Sequence, residues 1–184
     1  MTILAKKPQK IYYLCATAVF AAFIGICSQI QIPLPMIPIN LALFAVNLAG
    51  VLLGAKYGSL SVIVYVLLGL VGVPVFNNFS GGAGVLFGKT GGYIIGYIFA
   101  ALITGLFAKR FKESPVKLYL AMTLATLVCY AFGTAWFMVI NHSTLWLTLT
   151  YCVFPFIPGD IIKMLAVVLI SRKLSKPLAA YLPK

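Results

Sequence analysis

Charge is scarce in this sequence. Only 9% of its 184 residues are Asp, Glu, Lys or Arg, and Glu113 and Asp160 are its only acids. A water-soluble domain carries about 25% charged residues, because water must solvate its surface. A soluble globular fold is therefore excluded for a chain that is 62% hydrophobic with a mean hydropathy of +1.08. Histidine is almost missing too. His142 stands alone, which removes zinc sites of ordinary composition. Cys15, Cys27, Cys129 and Cys152 share no CxxC spacing and lie in apolar stretches, so they read as unpaired, buried thiols. With one histidine, one outer-side acid and scattered cysteines, the nucleophile or metal constellation of an intramembrane enzyme is not there.

What the chain has instead is long apolar runs. A hydrocarbon core about 30 Å thick needs roughly 20 apolar residues per helical crossing. From Ile11 to Ala55 no charge appears, but Pro33, Pro35 and Pro38 interrupt the run. Proline lacks an N–H and clashes with the preceding helical turn, which separates a first span near 12–30 from a second near 39–53. The first run is too long for a secretory signal core and is followed by no small-residue cleavage site, so it reads as a retained span. A short turn at Gly54–Gly58 carries Lys56 and leads to a third span near 59–71. Residues 72–92 are rich in glycine, which permits tight turns and close backbone approach. They also hold Phe76, Phe79, Leu86 and Phe87, too apolar for a free loop, and predict a folded cap or re-entrant loop. Further spans follow near 93–107, 118–140 and 157–170. The expectation is an all-α integral membrane protein of six transmembrane helices, one membrane domain over 1–184.

Lysine and arginine set the orientation. Lys6, Lys7 and Lys10 precede the first span, and Lys56 lies in the second-to-third turn. Lys109, Arg110, Lys112 and Lys117 lie in the fourth-to-fifth turn, and Arg172, Lys173, Lys176 and Lys184 follow the last span. Six crossings put these twelve of the fourteen basic residues on one side. Positive loops stay cytoplasmic, so both termini are expected inside. The net charge of +12 therefore follows membrane sidedness, and no nucleic-acid partner is implied.

Lys89 and Lys163 are the two exceptions, both on the outer half. Lys163 lies three residues after Asp160, on the same face of a helix. A charge at mid-span costs roughly 2.5–3.5 kcal/mol, so such groups pair or line a cavity. Pro158 suits a first helical turn, where the helix dipole favours the Asp160 carboxylate. Two readings follow: a structural pair that satisfies itself, or two groups facing a polar ligand near the outer surface. The two are compatible while the site is empty. Ala83 to Thr90 fits a relaxed phosphate-loop pattern, but such a site needs a soluble strand–loop–helix and a magnesium-holding acid, so ATP hydrolysis is not expected here. Ala18/Ala22, Gly54/Gly58 and Gly92/Gly96/Ala100 are small-residue pairs that let helices approach closely in lipid. Tyr130, Trp136, Trp146 and Tyr151 fall toward the outer ends of the late spans, fitting interface anchors or ligand stacking.

Four segments in this order resemble the BioY family, the biotin-specific S components of energy-coupling factor (ECF) transporters: Gly69-Leu-Val-Gly-Val-Pro-Val-Phe76, Gly81-Gly82, Gly88-Lys-Thr-Gly-Gly-Tyr93-Ile-Ile-Gly96 and Pro155-Phe-Ile-Pro-Gly-Asp160-Ile-Ile-Lys163. The resemblance spans nearly the whole chain. It implies a six-helix bundle with a biotin pocket near the outer face, roofed by loops, in a multi-pass protein of the bacterial plasma membrane. It implies biotin as transported ligand with no cofactor, and as partners a transmembrane T component and two cytoplasmic ATPases. Carried over residue by residue, it implies biotin recognition by Asp160 and Lys163, with Asn77 or Asn78 contributing, Asn78 preferred, and Gly82 and Tyr93 within the motif. Ala18 and Ala22 would meet the T component. Two departures matter. Lys89 replaces a proline common in the family, which places a cation where it can meet an anionic tail. Asn40-Leu-Ala42 replaces a Thr-Leu-Gln run, leaving Asn40 to cover part of that hydrogen bonding. An S component for another vitamin is the nearest alternative, and a purely structural membrane protein leaves the Asp160/Lys163 pair without a reason.

Overall fold

The computed structural model describes residues 9–34, 36–111 and 114–181. Lys6, Lys7, Pro35, Lys112, Glu113 and Lys184, used in the reading above, lie outside the described residues.

The first span is α1 (Gln9–Gln29). The proline-rich break after it is more ordered than expected. β1 (Gln31–Ile32) pairs antiparallel with β2 (Ile39–Asn40), Gln31 opposite Asn40 and Ile32 opposite Ile39. Pro33 and Pro38 flank this ladder, where no N–H is required.

The second and third expected spans are taken up by α2 (Ala42–Leu70), which is broken at Gly54, with φ +76° and ψ 179°. That conformation is essentially open to glycine alone. The two arms fold back on each other. An added Cβ on Gly58 would lie 2.9 Å from the Gly50 Cα, whereas residues eight apart in a straight helix are about 12 Å apart. The expected turn of residues 54–58 is thus a reversal at one residue.

Residues 72–92 form a folded lid, built from a 3₁₀ turn (Asn77–Phe79), a Phe76–Ser80 bridge and the short helix α3 (Ala83–Leu86). The phosphate-loop look-alike is therefore a four-residue helix and a turn. α4 (Gly91–Phe111) and α5 (Pro115–Asn141) follow as long apolar helices. Pro115 opens α5 behind Ser114, whose side chain accepts the Lys117 N–H at 3.5 Å, as helix starts favour. α6 (Leu145–Cys152) leads across Pro155 into α7 (Ile157–Tyr181), which continues past the expected end at residue 170.

Among the described residues, four helical segments are long and apolar enough to cross a membrane: Lys10–Gln29, Ala42–Leu70, Gly91–Phe111 and Pro115–Asn141. A fifth is added when α6 and the first part of α7, bent by 50°, are taken as one broken span. α2 packs most extensively on α4, and α4 on α5. α2 brings buried Ala45, Ala49 and Gly50 to this bundle, and α4 brings Ala100 and Ala101. Small residues allow the backbone approach that stabilises helix pairs in lipid by dispersion. Buried between α4 and α2, Thr104 Oγ1 donates to Asn47 Oδ1 at 2.7 Å. Large apolar side chains cover the outside, among them Val19 and Ile26 on α1 and Leu120 and Leu127 on α5. Cys15 is on this exposed surface, unlike the buried Cys27, Cys129 and Cys152, so burial of all four thiols is not what the fold produces.

Tyr13, Gly54, Ala55, Lys109, Arg110 and Lys117 line one cleft. The start of α1, the α2 reversal and the α4–α5 connection therefore share one end of the bundle. Tyr13 stacks on Tyr57 there, with ring centroids 4.4 Å apart.

Candidate functional site

A second cavity lies at the opposite end of α4, where Thr90, Tyr93 and Tyr97 join its wall. The lid closes it from above. Phe76 N–H donates to Ser80 O at 2.9 Å, and Ser80 Oγ donates to Asn77 O at 2.6 Å, which shapes the turn that presents Phe76 and Asn77 to the cavity. The Phe76 ring meets Tyr65 edge-on at 5.5 Å and lies directly over Gly69, where an added Cβ would come within 2.0 Å of Phe76 Cζ. Glycine at 69 is what lets the ring seat there.

Asp160 and Lys163 stand on the cavity wall. Lys163 Nζ donates to Asp160 Oδ1 at 2.7 Å, with side chains 11% and 4% exposed. The other carboxylate oxygen accepts the Tyr130 hydroxyl proton. Three effects stabilise this buried carboxylate: the ammonium, the phenol and its place in the first turn of α7. Asp160 thus has a protein partner on each oxygen, whereas Lys163 has two of its three N–H donors left over. The pair satisfies itself and also lines a cavity.

Across the cavity, Asn40 Oδ1 accepts the Ala42 N–H at 2.9 Å, and Asn40 Nδ2 donates to Asn77 Oδ1 at 2.6 Å. This leaves the Asn77 amide as a donor on the wall. Tyr93 is buried, stacked on Phe156 at 6.4 Å, and its hydroxyl donates to Cys152 O at 2.9 Å. Tyr65, Tyr97, Phe76 and Phe156 supply an aromatic lining. The cavity admits the centre of a water-sized sphere over about 40 Å³, where one buried water needs about 10–15 Å³. A guest larger than a few waters needs the walls to move apart. The arrangement suits a small molecule with an apolar body, a carbonyl or carboxylate for Lys163 and Asn77, and an N–H group for Asp160.

Of the residues singled out in the sequence, Asp160, Lys163, Asn40, Asn77 and Tyr93 meet at this cavity. Asn78, Gly82 and Lys89 are not in its lining. Asn77, and not the preferred Asn78, lines the cavity. Asn78 has φ +56° and is exposed, with its Oδ1 accepting a hydrogen bond from Gln31. Lys89 is exposed beside the lining residue Thr90, and Gly82 turns the chain into α3 with φ +93°. Ala18 and Ala22 are both exposed on α1, so their stripe faces outward. Sequence reasoning missed Tyr65, Tyr97 and Thr90, which sit within or beside apolar runs and carry no local mark. Tyr130 was legible only as an aromatic near a span end.

The chain is 42% identical over 164 residues to "Biotin transporter BioY" of Thermotoga maritima, covering 89% of this chain and 95% of that one. It is 37% identical to "Probable biotin transporter BioY" of Pyrococcus horikoshii, covering 85% and 92%. Among solved structures, "the S-component for biotin from an ECF-type ABC transporter" superposes with a TM-score of 0.86 at 33% identity, covering 96% of this chain and 95% of that one. The family model described as "BioY family" matches residues 4–180, and with an all-helical membrane fold and a lidded cavity that holds the motif's acid and base, this chain belongs to the BioY family.

Proposed function

We propose that this protein captures biotin on the outer side of the bacterial plasma membrane as the S component of an ECF transporter, without covalent chemistry of its own. One observation carries the reading. The Asp160–Lys163 pair, buried among apolar helices, faces a cavity lined by aromatic side chains. Biotin has a fused apolar ring, a ureido group with N–H and C=O, and a carboxylate, which match the lining group by group. The names of the relatives and of the superposed structure support the same ligand. Equilibrium binding of labelled biotin to purified protein, with riboflavin, thiamine and pantothenate as competitors, tests it. Retention of biotin against all three competitors is the expected result. Failure to bind biotin defeats the proposal.

The orientation in this reading is six crossings with both termini in the cytoplasm. Its support is the fold-back at Gly54, which makes two arms of α2, together with the clustering of Lys109, Arg110 and Lys117 beside Gly54 and Tyr13. Energy comes from partners: a transmembrane T component and two cytoplasmic ATPases. The outward Ala18/Ala22 stripe is the face for the T component, since one-turn spacing of small residues lets a second helix approach closely. Ala22→Trp should leave biotin affinity unchanged and reduce co-purification of the T component by roughly tenfold, the equivalent of about 1.4 kcal/mol. Undiminished co-purification would remove α1 from the interface.

A further inference from the structure

We infer that Gln29, the last residue of α1, is a positioning residue that latches the lid over the cavity. The inference deepens the reading of a ligand-capture site and rests on it for its ligand. A single carboxamide holds three backbone groups of the lid. Gln29 Oε1 accepts the Phe79 N–H at 2.9 Å, while Nε2 donates to Phe76 O at 2.9 Å and lies 3.1 Å from Val75 O. The Phe79 N–H requires an oxygen opposite it, which fixes the amide orientation and turns the NH₂ toward the two carbonyls. The neighbouring Ser28, fully buried, adds a hydroxyl contact to Val75 O. The segment so held contains Phe76 and Asn77, two lining residues of the cavity.

The turn needs holding. Asn78 and Phe79 are consecutive non-glycine residues in the left-handed region, with φ +56° and +51°. A bulky side chain such as phenylalanine is a genuine outlier there, and residues in such regions persist only when their surroundings over-determine them. Gln29 holds the Phe79 backbone, and Gln31, just beyond the end of α1, donates to the Asn78 side chain. Strain favours an open lid and the latch favours a closed one. Because the latch is the end of α1, whose middle carries the Ala18/Ala22 face, a shift of this helix acts on the lid directly.

The test uses the full chain in detergent and two variants. Gln29→Leu removes all three Gln29 bonds to the lid and leaves the Ser28 and Gln31 contacts in place. Gln29→Glu keeps the acceptor for Phe79 but sets a carboxylate against two carbonyls. Hydrogen exchange of ligand-free protein should rise over the segment Val73–Gly82 in both variants, while exchange in α2, α4 and α5 stays as in wild type. Biotin should dissociate roughly tenfold faster from Gln29→Leu, the equivalent of about 1.4 kcal/mol, with Gln29→Glu in between. Wild-type lid exchange, or a rise spread evenly over all helices, overturns the latch. Raised lid exchange with unchanged biotin release overturns its role in holding ligand. If wild-type protein binds no biotin, the functional reading fails instead, and the exchange pattern still decides whether the latch exists.

Discussion

Lys163→Ala is expected to bind biotin about a hundredfold more weakly than wild type, a loss of about 2.8 kcal/mol. Two effects follow, the first on binding and the second on stability. The ligand loses a charge-assisted hydrogen bond, worth about 1.5–3 kcal/mol. The Asp160 carboxylate, with its side chain 4% exposed, is left with Tyr130 alone, and breaking a buried ion pair costs about 3–5 kcal/mol. The second effect acts on the empty protein as well, so its melting temperature should fall. The double variant Asp160→Asn/Lys163→Met removes both charges and separates the two. Its melting temperature should return toward wild type while its affinity stays low. Asp160→Ala alone should weaken binding less, roughly tenfold, since both its oxygens already serve protein partners. Radioligand binding beside thermal melting reads all three variants, and wild-type affinity in Lys163→Ala would sink the site assignment.

Gly54→Ala is expected to destabilise the protein by about 1–3 kcal/mol, the cost of holding a residue with a Cβ in a glycine-only conformation. Nothing lies within 4 Å of the added methyl, so the effect is pure backbone strain. Gly58→Ala is the complementary case, because its Cβ would meet the Gly50 Cα at 2.9 Å and Ala49 O at 3.0 Å. Backbone atoms cannot move aside as a side-chain tip can, so the arms of α2 must part and the melting temperature should fall for a steric reason. Melting curves of the two variants in detergent, read by retention of the monodisperse peak, provide the measurement. A Gly54→Ala protein that melts with wild type would show that the reversal does not depend on this dihedral. Gly105 packs on the same bend, its added Cβ falling 2.3 Å from Ala55 N, so damage at Gly54 should also loosen the α2–α4 contact.

Much of the architecture was legible in the chain because membrane insertion is read locally. Each apolar stretch partitions into hydrocarbon on its own composition, and the α2 reversal next to Lys56 shares a cleft with Lys109, Arg110 and Lys117 of the α4–α5 connection. The acid–base pair was equally visible, since residues three apart on a helix must share a face. Boundaries were less legible. The hairpin of Gln31–Ile32 with Ile39–Asn40 has too few residues to show an alternating pattern, and the single-residue reversal at Gly54 looked like an ordinary turn.

By itself, then, the sequence determined a helical membrane chain, the grouping of its positive turns and the pairing of Asp160 with Lys163, because partitioning and helical spacing depend on neighbours along the chain. Only the tertiary structure decided that Asn40, Tyr65, Asn77 and Tyr97 converge on that pair, that Asn77 rather than Asn78 faces inward, and that Gln29 reaches the lid. Those outcomes depend on contacts between residues as far apart as Gln29 and Phe79, and on the left-handed dihedral at Asn78. Neither leaves a trace in local composition.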